Sequence, residues 1–383
     1  LRFSIAQHPA EIGLLPKLAL QGKDRKEMES EARTEYTPGL RDADTRALVP
    51  LRPATHHQKL AVIDEEVLYV GGLDLNERRY DTLDHDRPAH ETWHDVQALV
   101  KGPVVTPAVA HLRNFRAVCA GHVEPGDTAP GLLRTLSSAR STPGARMSPD
   151  PLVNEIETAH LDAIARSEGP LFFETQFFRH VPLAEALAEA AVRNPGLDMV
   201  LVLPASPEDV AFAGNRREDA QLGAQNQLDA LNLIREGFGD RAAVLAPAQR
   251  RADDTAGDDL ASLNGAPIVY VHSKVSLFGV SEAIVSSANL NGRSFRWDTE
   301  AGIHLTDETH VRCLWNRVLE HWLGDLSAQA PLTPGQLAPW IWQLADQNRT
   351  KAPDARDHFL MPYPRWRDEE LAKPLPIVPD EMV

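Results

Sequence analysis

The sequence predicts an α/β protein made of two similar halves, each a mixed sheet flanked by helices. Two observations carry that prediction: one stretch of the chain is laid out twice, and apolar runs of strand and helix type alternate through the second half. In the first stretch, Thr55 to Asp74, His57 and Lys59 precede the apolar run Leu60-Ala61-Val62-Ile63. Asp64-Glu65-Glu66 interrupts, and a second apolar run ends in Gly71-Gly72. In the second stretch, Tyr270 to Asn291, His272 and Lys274 stand at the same spacing, a turn falls at Gly279-Val280-Ser281-Glu282, and the return run ends in Ser286-Ser287. Asp74 lies 17 residues after His57 and Asn289 lies 17 after His272, so register holds through two cassettes placed 215 residues apart. Such matching is the mark of an internal duplication.

Each cassette reads as a strand, a tight polar turn and a return strand. Side chains alternate faces along a strand, which puts His57 and Lys59 on one face with Ala61 and Ile63. An imidazole and an ammonium held side by side suit an oxyanion or a phosphate. A single H-x-K pair is commonly no more than a solvated surface pair; the repetition gives this one its weight.

The remaining elements follow in order. Residues 1–50 are mixed, and the charge-dense GKDRKEMESEARTE segment reads as a loop or an exposed helix. The opening LRFSIAQHPAEIGLLPKLAL has no cationic segment followed by an apolar one, so no signal peptide is read there. After the first cassette, Glu77-Arg78-Arg79-Tyr80-Asp81 leads into a Pro- and His-bearing loop to His90, Trp93 to Val100 alternates like a strand, and Val104 to Ala120 has helical spacing. Residues 1–125 then form the first half. Residues 126–150, inside a stretch rich in Gly, Pro, Ser and Thr, read as the connection. In the second half, 151–330, helices are expected at 152–166, 183–193, 219–238 and 308–323, with strands at 170–174, 199–203 and 242–246. Arg250 to Gly265 is a polar loop, a mobile lid or an inert surface segment. Residues 331–383 read as a Pro-rich tail packed on the body through Trp340, Trp342 and Trp366.

Composition narrows the function. No run of about 18 apolar residues exists, so no helix spanning a membrane is expected. The net charge of −16 argues against broad nucleic-acid binding, which needs a basic surface, and against long residence on anionic lipid. Cys119 and Cys313 both fall in helix-like segments and read as buried small hydrophobes, which leans towards a reducing, cytoplasmic compartment. The histidines outside the cassettes have no metal-ligand spacing, and neither metal nor cofactor is expected.

The pattern H-x-K-x4-D-x6-G-G at His57, Lys59, Asp64, Gly71 and Gly72 resembles the signature motif of the phospholipase D superfamily. The second cassette resembles the partner motif, with Gly279 where the family has Asp and Ser286 where it has Gly. Three further stretches are similar to the branch that carries both motifs in one chain: Trp93-His94-Asp95, Glu174 to Phe178, and Asn291 to Glu300. The resemblance covers roughly Arg52 to Leu323. It implies two halves about a pseudo-two-fold axis with one shared active site, a strand-helix unit ahead of the first residue numbered here, and a monomer. It also implies a phospholipid substrate met transiently at a membrane surface.

A phosphodiester demands neutralised oxygens, a nucleophile and an acid for the leaving alkoxide, and two Lys with two His meet these needs without a metal. Lys59 and Lys274 would hold nonbridging oxygens. By resemblance His57 is the nucleophile and His272 the acid and base; residue chemistry alone leaves that assignment open. Asn289 and Asp74 sit where the family places polar groups beside the phosphate. Each imidazole needs an acceptor on its other nitrogen: Glu300 is the candidate in the second half, and Asp81, with Asp84 and Asp86 as rivals, in the first. Asp64 reads as a turn residue, His94 as support, and Phe177 and Phe178 as pocket wall or core. Phosphodiester hydrolysis through a phosphohistidine is the expected activity, most of all on a glycerophospholipid, with another diester such as nucleic acid as the alternative. A binding protein that has lost turnover, with Gly279 and Ser286 as its signs, is the rival. An Arg cluster at the cleft mouth (Arg216, Arg217, Arg250, Arg251) would serve the second substrate class.

Overall fold

The computed structural model describes residues 6–14, 16, 52–75, 80–127, 129–141, 144, 146–253, 260–375 and 379–382. The charge-dense 22–35 segment, Glu77 to Arg79 and the centre of the 250–265 loop lie outside these residues. The first cassette supplies β1 (Leu60–Ile63) and β2 (Val67–Gly71). After them come β3 (Trp93–His94), β4 (Gln97–Lys101) and helix α1 (Val105–Cys119). β5 (Leu132–Ser138), β6 (Asp150–Asn154), α2 (Glu155–Arg166), β7 (Leu171–Glu174) and α3 (Val181–Arg193) follow. The chain continues through β8 (Met199–Val202), α4 (Glu208–Ala213), α5 (Glu218–Phe238) and β9 (Ala242–Pro247) to the short pair β10 (Ser262–Leu263) and β11 (Ala266–Pro267). The second cassette begins at β12 (Tyr270–Val271) and forms β13 (Val275–Phe278) and β14 (Glu282–Ser286). It leads through α6 (Gly292–Arg296) to β15 (Glu300–Leu305) and α7 (Glu308–Leu323). The C-terminal stretch adds α8 (Leu337–Arg349), β16 (Leu360–Pro362) and α9 (Trp366–Leu371).

The result is a mixed α/β protein dominated by a nine-stranded sheet, in the order β16-β9-β8-β7-β13-β14-β15-β5-β6. β7, β8 and β9 run parallel, joined by helical crossovers, and the other neighbours are antiparallel. Alternation sorts the side chains between two cores. Val200 and Val202 point to one, shared with Val285, Ala301, Ile303, Trp315 and Trp322, while Met199 and Leu201 point to the other, shared with Ile156, Leu187 and Ile234. A second sheet, β1-β2-β4, lies on the first of these cores through Leu68 and Val70.

Both cassettes therefore build one unit: an antiparallel meander (β1-β2-β4, or β13-β14-β15) followed by a helix (α1 or α7). Their turns explain a departure in the motif. Asp64 has φ 53° and Gly279 has φ 56°, so the motif's Asp and the Gly that replaces it occupy the same left-handed position. Glycine meets that demand without a Cβ penalty, and Asp is among the residues that tolerate it. Four expectations are corrected. The 126–150 connection contains β5, which is buried and paired with β15, because its Leu132-Leu133 and Leu136 side chains fill both cores and the space around Cys119. The tail is not merely draped on the body, since β16 completes the sheet edge on β9 and α8 covers it. Trp93 to Val100 breaks into β3 and β4, which join different sheets. Cys119 is buried but Cys313 is exposed, on the outer side of α7. Among the described residues no helix is long and apolar enough to cross a membrane.

Candidate active site

Two short parallel bridges place the catalytic candidates. β12 pairs with β3, Tyr270 opposite Trp93 and Val271 opposite His94, which leaves His272 beside Asp95. His56 pairs with Thr299 in the same sense, which leaves His57 beside Glu300. The backbone bonds match one for one. The Thr299 carbonyl accepts from the His57 and Gln58 amides (3.0 and 2.7 Å), and the His94 carbonyl accepts from those of His272 and Ser273 (2.8 and 3.2 Å). The Gly72 amide donates to Val96 O and the Ser287 amide to Ala301 O, in each case the residue after the carboxylate.

The side chains complete a reciprocal exchange. His57 Nδ1 donates to Glu300 Oε1 at 2.8 Å, and His272 Nδ1 donates to Asp95 Oδ2 at 2.8 Å. Each imidazole is thus oriented through Nδ1 by a carboxylate brought from a distant part of the chain. Burial pushes the Glu300 carboxyl upward, but His57, Lys59 and the Ser287 hydroxyl (2.5 Å) outweigh it and hold the group below its ordinary range. Ser287 stands where the first cassette has Gly72. A Cβ on Gly72 would come within 2.2 Å of Asp95 Oδ1, so glycine makes room for Asp95 where serine donates to the longer Glu300.

Lys59 Nζ donates to the His57 carbonyl at 2.6 Å and lies 3.4 Å from Asp74, and Lys274 Nζ donates to the His272 carbonyl. Burial pushes the Lys274 ammonium down to about 7, against the pull of Asp95 and with a push from Lys59. His57, His272, Asp74 and Asn289 line one cleft of about 510 Å³, together with Phe177, Arg179 and Arg293. Asn289 donates to Gln176 Oε1 at 3.3 Å, and its Oδ1 is buried with no hydrogen-bond partner in the structure. Phe177 is at the cleft and stacks under the Arg179 guanidinium at 3.9 Å, whereas Phe178 is core.

Asp81 is not the orienting group of the first half. Its carboxylate accepts from His85 Nδ1 at 2.6 Å and from the Trp93 amide at 3.0 Å, so it braces the loop ahead of β3 and touches neither cassette histidine. Asp84 pairs with Arg250, and Asp86 accepts from the Thr82 hydroxyl. Glu300 orients a histidine, but it is His57 across the seam rather than His272 of its own half. Asp95 is the residue sequence reasoning missed. The signal was in the WHD stretch: His94 turns to Glu174 at 2.7 Å, and alternation sends the next side chain the other way. None of Arg216, Arg217, Arg250 and Arg251 lines the cleft.

No protein-family model matches the chain. A 42-residue segment, 10% of the chain, is 48% identical to phospholipase D zeta 1 of Arabidopsis thaliana, and it spans 4% of that protein. Among solved structures, NucT from Helicobacter pylori is 13% identical and superposes with a TM-score of 0.29 over 43% of this chain and 86% of its own. Phosphatidylserine synthase of Haemophilus influenzae Rd KW20 is 13% identical with a TM-score of 0.41 over 78% of this chain and 69% of its own. Polyphosphate kinase of Porphyromonas gingivalis, also 13% identical with a TM-score of 0.41, is covered over 38% of its length by 79% of this chain. The resemblance to the phospholipase D superfamily motif is carried by the residues of the two cassettes and not by any overall superposition.

Proposed function

We propose that the chain is a phosphodiesterase working through a covalent phosphohistidine, and that its diester is a glycerophospholipid. The observation that carries this reading is the reciprocal exchange of carboxylates, which fixes two imidazoles at one cleft while each lysine is held on the carbonyl of its own histidine. His57 Nε2 attacks phosphorus and the bond to the head-group oxygen breaks as His272, protonated, gives its proton to the leaving alkoxide. Water then loses a proton to His272 and attacks phosphorus, and the P–N bond breaks to release phosphatidate. An alcohol in place of water gives transphosphatidylation. Lys59 and Lys274 neutralise the nonbridging oxygens, and the Asn289 amide lies beside them. Glu300 and Asp95 are positioning residues that set the tautomers.

The lipid reading is supported by the segment shared with phospholipase D zeta 1, by an aromatic cleft wall at Phe177 and by the net charge of −16. On this reading the partner is a membrane surface met transiently, by a monomer in a reducing compartment. The matched hydrogen bonds support two halves related by a pseudo-two-fold axis through the cleft. Loss of turnover is disfavoured because both departures from the motif fit the fold: Gly279 adopts the turn of Asp64, and the Ser286 hydroxyl accepts from the Ala288 amide at 3.2 Å.

The test is choline release from short-chain phosphatidylcholine by wild type, His57→Ala and His272→Ala, with acid quench to trap a phosphoenzyme. Steady-state release lost in both variants, with a phosphoenzyme trapped from wild type and none from His57→Ala, is the expected result. Cleavage of bis-p-nitrophenyl phosphate without choline release would keep the mechanism and discard the lipid. Silence on both substrates would overturn the enzyme.

A further inference from the structure

Three histidines outside the cleft, from segments far apart in the chain, converge on one point. His85 lies in the loop before β3, His94 ends β3 and His321 is on the last turn of α7. One ring nitrogen from each falls within 4.8 Å of the other two, and all three rings line a cavity of about 1400 Å³. We propose that they form a binding site for a divalent first-row transition ion.

Hydrogen bonding prepares the site. His85 Nδ1 faces Asp81 Oδ2 at 2.6 Å, and a carboxylate only accepts, so the ring proton of neutral His85 is on Nδ1 and Nε2 carries a lone pair. His94 Nε2 faces Glu174 Oε1 at 2.7 Å, which fixes its proton there and leaves the lone pair on Nδ1. Neither carboxylate is loose. Asp81 also accepts from the Thr82 and Trp93 amides, and Glu174 from Trp322 Nε1 at 2.6 Å and from the Ser273 hydroxyl. Carboxylates that fix the tautomer and angle of an imidazole are the usual outer shell of a histidine metal site. Here two of three candidate ligands have one.

The third ligand is prepared by the first. His321 Nε2 lies 3.0 Å from His85 Nε2, and since the latter has no proton to give, one proton on His321 bridges the pair. A metal ion takes the place of that proton, which moves to His321 Nδ1 so that the ring ligates as a neutral imidazole. A tetrahedral ion with bonds of about 2.0–2.1 Å sets its ligand nitrogens roughly 3.3 Å apart, so the His85–His321 spacing of 3.0 Å is nearly met and the His94 ring has to draw in towards that pair. Three imidazoles select Zn(II), Co(II), Ni(II) or Cu(II) over Mg(II) and Ca(II), and three ligands leave a fourth position open towards the cavity. The residue after His94 is Asp95, so a bound ion would also pin the strand that orients His272.

The experiment uses the whole chain, stripped with chelator, dialysed, and titrated with Zn(II) and with Co(II). We expect one equivalent of either ion, a tetrahedral Co(II) ligand-field spectrum, and a melting temperature that rises with added ion. His321→Gln and His85→Gln should abolish the stoichiometric binding and the thermal shift. Asp81→Asn, which keeps all three histidines, should weaken binding by about 10–100-fold. Replacement of the exposed His90 by Gln should change neither. Metal-free melting of each variant at the wild-type temperature separates lost binding from lost fold. Absence of stoichiometric binding by wild type, or binding that survives His321→Gln, overturns the site.

Discussion

The two cassettes share a backbone and differ in nearly every side chain around it. The first has Asp64, Gly71-Gly72, Asp74 and the partner Glu300; the second has Gly279, Ser286-Ser287, Asn289 and the partner Asp95. His57 keeps 28% of its side-chain surface exposed, whereas His272 keeps 5%. What is held constant is the register: amide to carbonyl, Nδ1 to carboxylate, ammonium to its own histidine carbonyl. The motif letters can change as long as those contacts survive. On the proposed mechanism the exposed imidazole is the one placed to meet a diester, and the buried one holds a proton away from bulk water.

Substitutions can break this comparison. The largest effect is expected from His57→Ala and His272→Ala, each lowering turnover by about 10⁴-fold, with the former forming no phosphoenzyme at all. Next come Glu300→Gln and Asp95→Asn, each lowering kcat by about 10²–10⁴-fold by freeing the wrong tautomer, as loss of the orienting carboxylate does in a catalytic triad. Gly72→Ala should cost about a hundredfold, because its methyl meets Asp95 and displaces it from His272, whereas Ser287→Ala, which loses only a hydroxyl, should cost far less. A steady-state comparison of the two would show whether the first half is the tighter fit.

A gentler test uses pH. The Lys274 ammonium is lowered to about 7 by burial, with Lys59 adding to the shift and Asp95, Glu300 and Asp74 opposing it. A bound phosphate diester favours the charged form, so above about pH 7 binding must take up a proton and affinity should fall by up to tenfold per unit. Below that the lysine is already charged and affinity should level off. Calorimetric titration of a nonhydrolysable diester in two buffers of different ionisation heat would measure the proton uptake. The smallest effect is expected from Asp64→Gly, which puts in the first turn the residue the second already has and should leave turnover within a few-fold.

Much of this was legible in the chain itself. The cassettes, their turns and the helix after each meander follow from local periodicity, and periodicity is visible one residue at a time. The partnerships were not. Asp95 belongs to His272 because β3 bridges β12 across 177 residues, and no spacing within either segment encodes that bridge. Asp81 looked suitable because it follows the first cassette, but its neighbours are set by the loop that turns it towards His85. The His85, His94 and His321 convergence was hidden for the same reason. β5 was lost among Gly and Pro although its own apolar run, Leu132-Leu133 and Leu136, is strand-like.

The crossed carboxylates have a consequence for the order in which the protein comes into being. His57 is synthesised 243 residues ahead of Glu300, the group that gives it a defined tautomer. A ribosome-bound or proteolysed first half carries the nucleophile without its orienting partner, and an isolated second half lacks Asp95 in the same way. On the proposed mechanism, activity would arise only when these two distant segments meet, so that completion of the fold would itself license the chemistry.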